Sequence, residues 1–71
     1  MIVNQIAIDV IKRRGVCYIK VVDSATGRKR IIFNMNLELV SSNVDIIVVK
    51  RIKKILEKNL PLLLEREKEL I

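Results

Sequence analysis

Few residues in this 71-residue chain can do covalent chemistry. There is no His, so a Ser-His-Asp triad and the commonest general base are absent. The single cysteine, Cys17, has no His partner and alternates with Ile19 and Val21, so it reads as a small core residue and not a nucleophile. The acids are Asp9, Asp23, Asp45 and five Glu. A metal-dependent nuclease needs two or three carboxylates to converge. Asp23 flanks a turn, where Asp bonds local backbone. Asp45 suits the first turn of a helix. Glu57 takes the polar face of a helix, and Glu65, Glu67 and Glu69 form a solvated run, which leaves Asp9 and Glu38. Only Gly15 and Gly27 are glycine, too few for a phosphate-cradling loop. The expectation is a non-enzyme without metal or cofactor.

Basic residues carry the remaining chemistry. The formal charge is +6. Fourteen Lys and Arg fall largely in three clusters: Lys12-Arg13-Arg14, Arg28-Lys29-Arg30, and Lys50-Arg51 with Lys53-Lys54. Lys20 lies between the first two. Residues 1–40 carry net +4 and residues 41–58 net +3, whereas residues 59–71 carry net −1. Each Lys or Arg placed near a phosphate releases counterions and adds affinity. The alternative is a solvated surface that keeps an apolar protein dispersed.

The clearest element able to position these groups is a hairpin. Along residues 29–39, Ile31, Phe33, Met35, Leu37 and Leu39 share one face of a period-two pattern, and Arg30, Ile32, Asn34, Asn36 and Glu38 the other. Residues 16–22 alternate in the same way. A three-residue loop at Ala25-Thr26-Gly27 pairs Val21 with Ile31, Ile19 with Phe33 and Cys17 with Met35, apolar against apolar, with Gly27 where a left-handed residue is needed. A slip of one residue would mix the faces. On the outer face Tyr18 meets Asn34, Lys20 meets Ile32 and Val22 meets Arg30. Tyr18, Lys20, Arg30, Asn34 and Asn36 thus form an outward set whose types suit phosphates or base edges, and a β-ribbon can enter the DNA major groove.

Residues 2–14 read as a strand, with Ile6, Ile8 and Val10 alternating, or as a helix with Gly15 as its cap. Ser41-Ser42-Asn43 interrupts the pattern, and Ser42 with Asp45 resembles a capping box. Val44, Val48, Ile52, Ile55 and Leu56 then follow helical spacing, although the β-branched run 46–49 also admits a fourth strand. Pro61 ends or kinks that helix and suits the start of a second over 61–70.

The run Gly-Val-Cys-Tyr-Ile-Lys-Val-Val-Asp-Ser-Ala-Thr-Gly-Arg-Lys-Arg, followed by an alternating strand and a helix, resembles the three-stranded arm-binding domain of some tyrosine recombinases. The resemblance covers residues 6–58 and implies a sheet that binds DNA. No site residue is carried over from it.

These readings give one α+β domain over 1–71. A two- or three-stranded antiparallel sheet (about 5–40, turning at 24–27) is packed by one or two C-terminal helices within about 43–71. At this length only about 60% of the extended surface is buried on folding, yet 51% of residues are apolar. With no disulfide or zinc site possible, oligomerisation is the remaining staple, a dimer first, through residues 44–64. The chain has no spanning segment, and one unpaired Cys suits a reducing cytoplasm. Abundant Ile, Lys, Arg and Glu with a single Gln suit a thermophile. The functional expectation is a small basic nucleic-acid-binding protein, DNA before RNA, regulatory or architectural. Its alternative is a homo-oligomeric accessory protein of viral or plasmid type.

Overall fold

The computed structural model describes all residues, 1–71. Five strands run β1 (Ile2–Val3), β2 (Ile6–Arg13), β3 (Val16–Asp23), β4 (Arg30–Asn34) and β5 (Leu39–Ser42), followed by helices α1 (Ile46–Lys58) and α2 (Leu60–Leu70). The strands form one antiparallel meander in chain order. The architecture is α+β as expected, but the sheet has five strands where the sequence pattern predicts two or three.

Two of the extra pairings come from turns that the hydrophobic pattern does not announce. Asn4 and Gln5 both take positive φ (48° and 66°), a two-residue turn that folds Ile2–Val3 back on Ile6–Ala7. Ile2–Val3 and Ile6–Arg13 are therefore extended, and the helical alternative for residues 2–14 is excluded. The β2–β3 turn is of the same kind, with Arg14 at φ 52° and Gly15 at φ 80°.

The β3–β4 hairpin has the expected register: Val21 pairs with Ile31, Ile19 with Phe33, Val22 with Arg30, Lys20 with Ile32 and Tyr18 with Asn34. Its tip is wider than three residues. Gly27 N–H donates to Asp23 O at 3.0 Å, with Gly27 at φ 69°. The Asp23 carboxylate accepts from the backbone N–H of Thr26, Gly27 and Lys29. Those bonds stabilise the charged form and hold the Asp23 carboxyl well below the usual carboxylate range, the Lys29 and Thr26 N–H groups contributing most.

Beyond Asn34 the structure departs from the expectation. The period-two pattern continues to Leu39, but the chain turns at Met35–Glu38, so Cys17 and Met35 are not paired. The Asn34 side chain builds that turn: its Oδ1 accepts from the N–H of Asn36 and Glu38, both at 2.9 Å, and its Nδ2 donates to Glu38 Oε1. Leu37 enters left-handed space at φ 62° and is buried. Burial of its side chain accounts for a conformation otherwise costly for a non-glycine residue. Residues 39–42 then return as β5, with a bulge between Ile32 and Phe33: Leu39 opposes Phe33 and Ser41 opposes Ile32, leaving Val40 as the additional residue.

Ser42 stays in β5, and its hydroxyl donates to Val44 O, so the expected Ser42–Asp45 capping box does not form. Asp45 is the N-cap, without a side-chain bond. The run 46–49 is helical, not a fourth strand. Val49, Ile52 and Leu56 at helical spacing all reach the core, a gain that outweighs the β preference of the run. Asn59 separates the helices: its side chain donates to Ile55 O at 2.8 Å and its carbonyl accepts from Leu62 and Leu63. Pro61 sits in the first turn of α2, where its missing N–H costs nothing.

Both helices cover the same side of the sheet. Ile8, Val10, Cys17, Ile19, Val21, Ile31 and Phe33 bury there against Leu37, Val49, Ile52, Leu56 and Leu63. Fully burying an aliphatic or aromatic side chain of this kind contributes about 1.5–3 kcal/mol. No helix is long and apolar enough to cross a membrane.

Candidate nucleic-acid interface

With both helices on one side, the other face of the sheet is left uncovered. The ladders place its side chains in rows: Ala7, Val22 and Arg30; Asp9, Lys20, Ile32 and Ser41; Ile11, Tyr18 and Asn34; Arg13 and Val16. At the β2–β3 end the face sinks into an open concavity of about 540 Å³, lined by Ile11, Val16, Tyr18, Ile32, Val40 and Ser41 with Arg13 and Arg14 at its margin. Ile11, Tyr18 and Ile32 are half-buried by their strand neighbours, whereas Val16 and Val40 are half-exposed.

The expected site residues divide between two sides of the molecule. Tyr18, Lys20 and Arg30 lie on the uncovered face as their register required. Arg13 and Arg14 join them from the β2–β3 turn, and Arg28 and Lys29 lie exposed in the β3–β4 turn at the opposite end of the hairpin. Lys12 projects to the helical side, where its ammonium donates to Leu70 O at 3.2 Å. Lys50, Arg51, Lys53 and Lys54 are exposed on α1, whose buried stripe faces the covered side of the sheet. The three clusters therefore do not share a face. Asn34 lies on the expected row, but its amide is engaged in the turn. Asn36 has left the strand and stands exposed in that turn.

None of these cations is ion-paired. Of the fourteen Lys and Arg, only Arg66 and Lys68 come within 4.0 Å of a carboxylate, Arg66 to Asp9 and Glu69, and Lys68 to Glu65. Both belong to α2, and the twelve in the body of the domain are without acidic partners. The uncovered face has one carboxylate between β2 and β4, Asp9, and it is already engaged: it accepts from Val10 N–H at 2.9 Å and from Arg66 at 3.5 Å. No three His, Cys, Asp or Glu side chains come together.

Residue types and charge alone did not identify the floor of the concavity. Alternation alone puts Ile32 on the outward row, whereas the contribution of Val40 and Ser41 depends on the turn built by Asn34 and on the bulge after Ile32. Ile11 could be assigned to this face only once residues 6–13 were known to be a strand. Comparison with protein-family models, curated proteins and solved structures gave no match.

Proposed function

We propose that this protein binds nucleic acid, DNA first, with the uncovered face of its sheet. The observation that carries the reading is the set of cations Arg13, Arg14, Lys20 and Arg30, none ion-paired, on a face whose one carboxylate between β2 and β4, Asp9, is already paired with Arg66. A cation held against a protein carboxylate has little to offer a phosphate, whereas a solvated one exchanges its counterions for it. The α1 cluster adds long-range attraction from the far side and steers association without forming the contact surface.

The test is fluorescence anisotropy of a labelled DNA oligonucleotide at two salt concentrations. Binding at low salt that weakens steeply as salt rises supports the reading. Absence of binding at low salt contradicts it.

A separate observation favours a second role, self-association. Twelve large apolar side chains are exposed, among them Val40 (53%), Ile46 (57%), Ile47 (64%) and Leu62 (57%). Strand β5 is also an edge of the sheet, and its sequence Leu-Val-Ser-Ser carries no charge and no proline to blunt it. A dimer that pairs β5 or buries the first turn of α1 leaves the uncovered face free, so the two roles are compatible.

A further inference from the structure

We infer that the concavity on the uncovered face takes unpaired bases of single-stranded DNA, with Tyr18 as the stacking surface and Arg13 and Arg14 as the phosphate contacts. This rests on the nucleic-acid reading above and narrows it.

The major groove is about 12 Å wide and admits a helix or a two-stranded ribbon. Here β2 to β5 are four adjacent strands. Three gaps of ~4.8 Å separate their outer backbones by about 14 Å before side chains are counted. The face cannot enter the groove, so Tyr18, Lys20 and Arg30 cannot read base edges in a duplex from where they stand.

The floor of the concavity is formed by Ile11, Tyr18, Ile32 and Val40, and its margin by two arginines with no carboxylate partner. A duplex presents phosphates outward and keeps its base faces stacked inside, so it could use the margin and not the floor. A single strand presents both at once, the pattern used by proteins that combine a basic margin with an aromatic stacking residue. Tyr18 is the sole tyrosine, there is no Trp, and the one Phe, Phe33, is buried on the other side of the sheet, so Tyr18 is the only aromatic group available. Ile11 lies directly across from it in the β2–β3 ladder and extends the apolar floor.

The same floor selects deoxyribose. Its side-chain hydroxyls are those of Tyr18 and Ser41, and its remaining floor residues are aliphatic. A ribose 2′-hydroxyl laid on Ile and Val loses water without gaining a partner, whereas deoxyribose and a thymine methyl do not.

The composition provides a local probe. With one tyrosine and no tryptophan, the intrinsic fluorescence of the intact protein reports on Tyr18 alone. The experiment titrates the protein with a mixed-sequence 12-mer as single-stranded DNA, as its duplex and as RNA of the same sequence. Tyrosine emission is followed together with the anisotropy of labelled copies. Single-stranded DNA is expected to quench Tyr18 and to bind at least tenfold more tightly than duplex or RNA. Tyr18→Ala should weaken that binding by roughly 5- to 150-fold, the range for one stacked base, while Tyr18→Phe retains it. Arg13→Gln with Arg14→Gln, exposed changes at a turn, should reduce the salt slope by about 1.4, at ~0.7 per phosphate on a single strand. These two changes leave the core untouched and keep the test decisive if Tyr18→Ala folds poorly. Duplex binding as tight as single-strand binding, without quenching, overturns the inference and leaves the nucleic-acid reading standing. Tighter binding of RNA overturns the assignment to DNA. Binding of none of the three at low salt overturns both.

Discussion

Tyr18 stands directly opposite Ile11 across the β2–β3 ladder, on the side of the sheet that neither helix covers. The only tyrosine of the chain is thus set on an aliphatic floor, with Arg13 and Arg14 at the margin of the same concavity. The pairing follows from the two-residue turn at Arg14-Gly15, which fixes the register of both strands and also presents the arginines.

The two faces of the sheet should respond differently to truncation. Ile19 is fully buried, and Ile19→Ala should cost about 2–4 kcal/mol. Ile32 is half-buried on the uncovered face, and Ile32→Ala should cost at most about 1.5 kcal/mol. In a domain of this size each kcal/mol moves Tm by roughly 4–8 °C. Thermal denaturation of the two variants side by side checks the order, and a larger effect at Ile32 would mean that this face is covered in solution.

Asp23 should govern the β3–β4 turn. Its carboxylate accepts three backbone N–H groups and the Thr26 hydroxyl. Asp23→Ala should speed amide hydrogen exchange at Thr26, Gly27 and Lys29 while leaving the amides of Ile19 and Val21 protected. The pH dependence follows from the lowered folded-state pKa: the contribution is present above the ordinary carboxylate pKa and is lost only as pH falls through the depressed value. Asp23 should therefore titrate well below the ordinary carboxylate range in an NMR series taken downward in pH. Titration within that ordinary range would show that the turn is open in solution.

Self-association can be tested at the bare edge. Val40→Lys or Ile47→Lys should shift an oligomer toward monomer in light scattering at matched concentration, by placing charge on exposed apolar positions. Lys introduced at Glu57, exposed and polar already, serves as the control. Equal oligomer size in all three would remove β5 and the first turn of α1 from the interface.

Asn34 gives a prediction that separates structure from binding. Its side chain bonds the backbone of Asn36 and Glu38 and holds Leu37 in left-handed space. Asn34→Ala should lower stability, by about 1–2 kcal/mol, and leave the salt slope of nucleic-acid binding unchanged. A change in the slope would restore Asn34 to the contact surface.

The hairpin from Val16 to Asn34 was legible in the sequence because two independent signals agreed: alternation on both strands, and apolar residues facing apolar residues in one register only. The next turn was hidden by the same signal. Leu37 and Leu39 continue the alternation past Asn34, and no glycine or proline marks the break. What ends β4 is a side chain bonding to backbone two and four residues on. The Asn4-Gln5 turn was hidden likewise, since its residues adopt positive φ without glycine. At the other end, Val49, Ile52 and Leu56 select a helix for a run whose residue types favour a strand, a tertiary effect that local preference cannot supply. For the candidate site, the basic residues were legible as types and the uncovered row as a register. The separation of the α1 cluster from that row was not, because it depends on which face the helices cover.

The most direct test of the central claim compares charge removal on the two sides of the molecule. The affinity of a labelled DNA oligonucleotide is measured against salt concentration for Arg13→Ala/Arg14→Ala/Lys20→Ala, on the uncovered face, and for Lys50→Ala/Arg51→Ala/Lys54→Ala, on α1. Both lower the net charge by three. If the uncovered face makes the contacts, the first variant loses most of its affinity and its salt slope flattens, while the second keeps the slope and slows association modestly. A flattened slope in the α1 variant, with the sheet variant unchanged, would contradict the account.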